Sequence, residues 1–492
     1  MTENQIPSDL ATPPIDSDAT RGFVARLWSL CNILRGDGVG YNQYISELTY
    51  LLFLKLAEET GADSLLPDGY RWSELVNYDG QNLLGYYQEF LTHLGAAAEA
   101  DLVQSIYTFP TTVFSHSENL KAVIAGIDSL KWHSLTADAI GVVYEGLLAK
   151  NSEDTRSGAG QYFTPRALVD SMVACTRPDV GELIQDPSVG TGGFLISADH
   201  FIRRTRGNEA YLSNPPIYEG MEIERGTRRL CLMNAFLHRM SANIYLGDTL
   251  TVDADKLQQA DVVLANPPFG TRSAGMRNAR EDFAHSTTNR QLQFLQHIYR
   301  ALRSGGRAAV VVPDNVLFEG GLARKVRYEL TDVCDLTMIL RLPIGIFYAQ
   351  NVSTHVLFFE RKGVTHPQTQ DVWIYDLRSG APRFNKRRPF ARTDLEGFES
   401  AFETLRNGTK PEVVGDDRLR CFTRAQVVEY RDEVATGWLD GDGEVPDDTT
   451  PEDVQDTLQR MLASLALVSS ELVDVVDTLA DNPNGKVERT QI

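Results

Sequence analysis

The sequence predicts an α/β fold: a Rossmann-like, mostly parallel, doubly wound sheet, preceded by an all-helical N-terminal domain and followed by a C-terminal helical tail. Three patterns lead there. From Phe23 to about Lys150 apolar residues recur at helical spacing; from Gln161 to about Arg361 short apolar runs alternate with helical patterns; and near the end an apolar heptad persists for more than three repeats. At 492 residues the chain exceeds what one hydrophobic core usually supports, so two or three domains are expected.

Residues 1–20 carry neither the basic region nor the apolar stretch of a signal peptide and read as a disordered polar tail, with a cytoplasmic address expected. The helical domain, 21–150, shows Phe23, Leu27, Leu30 and Leu34, then Ile45, Leu48, Leu51, Leu52 and Leu56, with turns at Pro67-Asp68-Gly69 and Asn77-Tyr78-Asp79-Gly80. An amphipathic helix with a Thr cap, Thr136 to Lys150, closes it, and the polar stretch Asn151 to Gly160 marks the boundary. A catalytic domain follows at 151–400. Its expected strands are Leu183 to Gln185, Ile217 to Met221, Ile244 to Leu246, Val262 to Ala265, Ala308 to Val312, Leu336 to Leu342 and His355 to Phe359, with one more at Val372 to Tyr375. These runs are apolar without strict alternation, as strands buried on both faces require.

The C-terminal region, 401–492, follows a basic turn at Lys386-Arg387-Arg388 and ends in a helix bearing Val454, Leu458, Met461, Leu465, Val468, Leu472, Val475 and Leu479. That 4-3-4-3 spacing reads as a seam, either for a partner's long helices or for the chain's own. Its flanks are acidic, so it should not lie on phosphates.

Composition removes several function classes. No window approaches the roughly 18 apolar residues of a membrane span, so no membrane role is expected. Cys31, Cys175, Cys231, Cys334 and Cys421 are scattered without a CxxC pair, which argues against a disulfide framework and against a metal site. The net charge of −20, from 47 basic and 67 acidic residues, leaves no surplus to neutralise phosphates. If DNA is the substrate, either a local basic patch or a partner chain supplies the grip.

The sharpest motif is Asn266-Pro267-Pro268-Phe269, directly after the apolar run Val262 to Ala265, where an open α/β sheet places ligands. The proline pair withholds two amide donors and leaves carbonyl oxygens and the Asn266 amide oxygen free to accept. An exocyclic amine on an aromatic base is a poor nucleophile because its lone pair is conjugated with the ring. Accepting its hydrogens at Asn266 and the Pro267 carbonyl pulls the nitrogen towards a tetrahedral shape, while Phe269 stacks on the ring. Alone, the tetrapeptide is as well read as a plain turn.

It does not stand alone. Asp186-Pro187-Ser188-Val189-Gly190-Thr191-Gly192-Gly193-Phe194 follows the first strand and precedes a helix, so its backbone can approach a ligand closely. No Gly-Lys-Ser/Thr follows and GxGxxG does not fit, which removes the P-loop and dinucleotide readings. The helix start can instead face the carboxylate of an amino-acid-like cofactor. Glu222 at the second strand end is placed for ribose hydroxyls, and Asp248 after the third for an adenine amine. The stretch Thr271 to Arg290, with Arg272, Arg277, Arg280 and Arg290, is locally basic and is either a phosphate-ordering segment or a solvated loop.

Together these motifs resemble the amino-methyltransferases, and more narrowly the modification (M) subunits of type I restriction-modification systems, over most of the chain. The resemblance implies an S-adenosylmethionine-dependent methyltransferase domain acting on N6 of a flipped adenine in double-stranded DNA. It implies that Gly160-Gln161-Tyr162-Phe163-Thr164-Pro165-Arg166 closes over the methionine moiety of S-adenosyl-L-methionine. The glycine-rich stretch, with Asp186, Ser188, Gly190, Thr191, Gly192 and Gly193, would hold that moiety too. It assigns the ribose to Glu222 and the target base to Asn266 through Phe269, Asn in first place favouring adenine over cytosine N4. Gly345 to Val352 is similar to a stretch that puts an aromatic beside the flipped base, and Phe347 is the candidate, although it is equally readable as a core aromatic. Tyr44 to Thr49 resembles the family's helical N-terminal domain, but no close match to the family's extreme C-terminus is evident. Implied partners are a specificity (S) subunit that reads the sequence, a second copy of the chain sharing that one specificity subunit, and, in systems that have one, a restriction (R) subunit. The alternative expectation is N-methylation of protein glutamine, where an Asn-Pro-Pro-Tyr tetrapeptide faces the same conjugation problem. A non-catalytic assembly module is a third.

Overall fold

The computed structural model describes residues 18–35, 41–154, 164–270, 280–343, 345–347, 353–363, 368–379, 384, 388–411 and 418–429. The heptad segment, residues 161–163, Arg272, Arg277, Lys386 and Arg387 lie outside them.

Seven helices come first: α1 (Asp18–Arg35), α2 (Tyr41–Glu59), α3 (Trp72–Val76), α4 (Leu83–Ala97), α5 (Asp101–Ile106), α6 (Ser117–Asp128) and α7 (Ala137–Asp154). The expected apolar stripe is their core. Leu27, Ile45, Leu48, Leu51, Leu52 and Leu56 are all buried, with Trp72 and Trp132. Thr136 caps α7 as expected, its hydroxyl accepting from the Ala139 amide at 3.2 Å, and the helix runs to Asp154 rather than stopping at Lys150.

The second part is a nine-stranded sheet in the order β3-β2-β1-β4-β5-β7-β6-β8-β9. Its strands are β1 (Leu183–Asp186), β2 (Ile217–Glu222), β3 (Ala242–Leu246), β4 (Ala260–Ala265), β5 (Leu302–Pro313), β6 (Asp335–Arg341), β7 (Thr354–Glu360), β8 (Asp371–Asp376) and β9 (Leu419–Thr423). Every expected strand is present; β9 was not expected. β1 to β5 are mutually parallel. β7 enters antiparallel between β5 and β6, β8 joins parallel to β6, and β9 closes the edge antiparallel. The faces are covered by α8 (Arg166–Thr176), α9 (Gly193–Ser213), α10 (Arg225–Leu237), α11 (Arg290–Ala301), α12 (Asn315–Phe318), α13 (Leu322–Val333), α14 (Glu396–Arg406) and α15 (Arg424–Glu429).

Strand order reverses after β3: β2 and β3 lie on one side of β1, β4 and β5 on the other. The carboxyl ends of β1 and β4 therefore flank a topological switch point, where the loops diverge and leave a crevice. The helical domain reaches this region through α10. Phe53 and Phe236 pack at 4.9 Å between ring centroids. Arg229 donates to the Ile106 carbonyl at 2.7 Å and to Ser46 Oγ at 2.6 Å, its guanidinium 4.2 Å from the Tyr50 ring centre. One apolar core runs through both parts.

Candidate active site

Because β1 to β4 are parallel, the four motifs that follow them all emerge at one edge of the sheet. After β1 the chain turns through Gly190 (φ +54°) and Gly192 (φ +86°) before α9 begins at Gly193. A side chain at Gly192 would be strained by that backbone, and its Cβ would lie 3.0 Å from Cys231 Sγ. Asp186 is buried and accepts from the Ser188 amide at 3.0 Å and its hydroxyl at 3.4 Å. Burial, opposed by the Ser188 amide and reinforced by the charge of Glu222, pushes the Asp186 carboxyl up to about 7.

Glu222 braces this loop from the next strand. One carboxylate oxygen accepts from the Gly190 amide at 3.1 Å, the other from the Glu224 amide at 2.9 Å, and burial raises its pKa above the ordinary carboxylate range. Asp248, beyond β3, folds into its own turn: Oδ1 accepts from the Leu250 amide at 2.9 Å. Thr249 then donates to the Pro187 carbonyl at 2.6 Å, joining the β3 and β1 loops.

At the end of β4, Asn266 is 8% exposed. Its Nδ2 donates to Thr164 Oγ1 at 3.0 Å. Its Oδ1 is buried and has no hydrogen-bond partner among the described residues. Pro267 is buried, Pro268 half-buried, and Phe269 half-buried against the hydrophobic core. A buried amide oxygen without a donor costs about 1–3 kcal/mol, so a hydrogen-bond donor brought to it would be favoured.

Of the remaining expected residues, Thr164 and Pro165 stand at the start of α8. Arg166 directs Nη2 to both oxygens of Glu145, at 2.9 and 3.1 Å, and Nη1 to the Gly193 carbonyl at 3.2 Å. Gln161, Tyr162 and Phe163 lie outside the described residues. Phe347 is buried in the hydrophobic core beside Ile346. Of the basic stretch, Arg280 pairs with Asp282 at 2.5 Å and contacts His297 Nδ1 at 2.7 Å, while Arg290 opens α11. Among the described residues no cluster of side chains could hold a metal ion, and no helix is long and apolar enough to cross a membrane.

Three residues at this edge were not singled out from the sequence. Asn234 donates from α10 to the Thr191 carbonyl at 3.1 Å, and Glu145 reaches the site from α7 through Arg166. Ile223, directly after Glu222, is an apolar side chain left 62% exposed. An apolar residue following a strand-end acid was the available signal for Ile223; the other two depend on tertiary contact.

Strand order, glycine-rich turn, strand-end acids and the Asn-Pro-Pro-Phe corner define an α/β methyltransferase that acts on nitrogen. Residues 135–417 match the N-6 DNA methylase family, and residues 23–127 match the HsdM N-terminal domain. The chain belongs to this family, as a DNA adenine methyltransferase subunit of a type I restriction-modification system. It is 45% identical to the StySPI type I methylase subunit of Salmonella potsdam and 44% to the EcoKI methylase subunit of Escherichia coli K12, each over 80% of this chain and 78% of the relative. The crystal structure of the EcoKI M protein aligns over 95% of this chain and 97% of that one, with TM-score 0.52 and 36% identity. A solved chain described for the assembly and conformational transition of a type I system gives TM-score 0.71 at 25% identity, over 93% and 99%. Membership sets aside the glutamine-methylating and non-catalytic alternatives.

Proposed function

We propose that this edge of the sheet transfers the sulfonium methyl group of S-adenosylmethionine to N6 of an adenine turned out of double-stranded DNA. The observation that carries the mechanism is the buried Asn266 Oδ1, an acceptor without a donor at the end of β4. The residues present fit the cofactor. The left-handed turn at Gly190 and Gly192 lets main chain approach a ligand, and the carboxylates of Asp186, Glu222 and Asp248 suit its cationic and hydroxyl-bearing groups. Gln161 to Arg166 would close the methionine end. Bound there, the cofactor supplies an electrophilic methyl group.

The chain's own part is to make the amine a nucleophile. Asn266 Oδ1 and the Pro267 carbonyl each accept one N6 hydrogen, drawing the nitrogen out of conjugation and aiming its lone pair across the switch point. Phe269 stacks on the ring, with Phe347 a second candidate from the core. Neither Asn266 nor the Pro267 carbonyl is a base, so the proton that N6 gives up on methylation would pass to water.

In this reading residues 21–150 form the helical domain, 151–400 the catalytic domain, and 401–492 a partner-docking region that carries the heptad seam. A specificity chain reads the target sequence, two copies of this chain serve one such chain, and a restriction subunit can join the complex in the cytoplasm. Asn266→Ala should lower methyl transfer by on the order of 10²-fold or more while equilibrium dialysis finds cofactor affinity little changed. Transfer persisting at the wild-type rate would overturn the mechanism.

A further inference from the structure

We propose that Thr164 is a positioning residue that fixes which end of the Asn266 amide faces the substrate, and that Glu145 of the helical domain holds it in place through Arg166. The inference rests on the reading of Asn266 as the amine acceptor and goes beyond it to what orients that acceptor. An Asn side chain can present either its oxygen or its NH2 to a ligand, and turned the wrong way it offers a donor to a donor. The partner that takes the Nδ2 hydrogen decides the matter, and that partner is Thr164 Oγ1 at 3.0 Å. With Nδ2 so engaged, Oδ1 is the atom left over. For the hydroxyl to accept from Asn266 its own hydrogen must go elsewhere, and half-buried Thr164 can direct it to water or to an anionic group bound alongside.

Thr164 stands two residues before Arg166, the first residue of α8. That guanidinium is committed to protein. Nη2 reaches both Glu145 oxygens at 2.9 and 3.1 Å, Nη1 reaches the Gly193 carbonyl at 3.2 Å, and Nε lies 3.6 Å from Asp170 Oδ1. Three partners on three elements therefore hold the guanidinium, with the charged bonds to Glu145 the strongest of them. Glu145 belongs to α7, so side-chain contacts run from α7 to Arg166 and on to the first residue of α9, and the backbone from Arg166 through Pro165 carries that anchoring to Thr164, which meets Asn266. Arg166 is then a clamp between α7, α8 and α9, and α7 contributes to the site without touching the substrate.

The test uses the full chain assembled with its specificity partner. Single-turnover methylation at saturating cofactor and DNA, cofactor Kd, melting temperature, and fluorescence of a 2-aminopurine at the target position are measured for Thr164→Val, Thr164→Ser and Glu145→Ala. Val keeps the shape of Thr and removes the hydroxyl, so the single-turnover rate should fall roughly tenfold or more. Thr164 also stands in the Gln161 to Arg166 stretch proposed to close on the cofactor, so cofactor Kd can rise, but at saturating cofactor the rate loss should persist and base extrusion should weaken. Ser should restore the rate to within about threefold of wild type, and Glu145→Ala should reproduce the Val signature in milder form. If Val does not fold, Thr164→Ala must carry the same signature. A Val variant with the wild-type rate, or one whose whole loss lies in cofactor Kd, overturns the proposal. Asn266→Ala run in parallel separates the two failures: inactive Asn266→Ala beside normal Thr164→Val sinks only the positioning role, whereas two fully active variants sink the site reading itself.

Discussion

Asp186 is the residue whose titration bears most directly on the site. Its folded pKa of about 7 stands above the ordinary 3.8 because the carboxyl is buried and shares the pocket with Glu222. Between pH 4 and 7, roughly, the folded protein holds a proton that the unfolded chain has already released, so this group's contribution to stability falls as pH rises through that window. The shift corresponds to about 4 kcal/mol at most. Asp186→Asn removes the titration, so in urea unfolding the variant should gain on wild type by a few kcal/mol between pH 5 and pH 8, roughly. A gap that does not change with pH would show that the carboxyl ionises normally. At this scale the sequence exposed residues that announce themselves by neighbours in the chain: Asp186 before the glycines, Glu222 and Asp248 after apolar runs, Asn266 before two prolines. It could not expose the bond from Asn266 to Thr164, which crosses 102 positions. Phe347 was equally readable as a core or a base-facing ring because side-chain type does not encode direction.

The helices and strands were legible because burial imposes a period: one face for the longer N-terminal helices, and short apolar runs for β4 to β7, which are buried over most of their length. β9 escaped because it is an edge strand whose residues are mostly half-buried or exposed, so neither pattern forms. The insertion of β7 between β5 and β6 escaped too, since pairing order is not written in the runs themselves. Contacts between elements show how much α10 carries. Its Arg229 satisfies the Ile106 carbonyl and Ser46 and covers Tyr50, and its Asn234 holds the glycine-rich loop at Thr191. Arg229→Ala leaves the buried carbonyl without a donor and opens space against Tyr50, at a cost of about 3 kcal/mol. The expected result is a lower melting temperature with weakened cofactor binding, as α10 loosens between the helical domain and the loop. A variant melting with wild type would mean that the apolar contacts alone fix α10.

Charge is a property of the whole molecule, and the net −20 could be read before any fold was known. What it could not reveal is how many arginines are already engaged. Arg307 bonds to Glu182, Arg303 to Asp261, Arg280 to Asp282 and Arg392 to Glu399, so each has part of its positive charge answered within the fold. DNA affinity grows with the number of phosphates neutralised and decays with salt in proportion to that number. The chain alone should therefore bind a 30-base-pair duplex, an illustrative length of about three helical turns, no tighter than about 10⁻⁵ M, with a shallow salt slope. Joined to the specificity chain proposed above it should bind at least roughly 100-fold tighter, with a steeper slope, if that chain supplies the added phosphate contacts. Deleting residues 450 to 482 tests whether the heptad seam makes that union: the shortened chain should lose the partner and the tight DNA binding yet still bind the cofactor, if the loops after β1 to β3 hold it as proposed. If the chain alone grips and methylates DNA as well as the assembly does, the phosphate contacts are its own, and the acidic balance says nothing about division of labour.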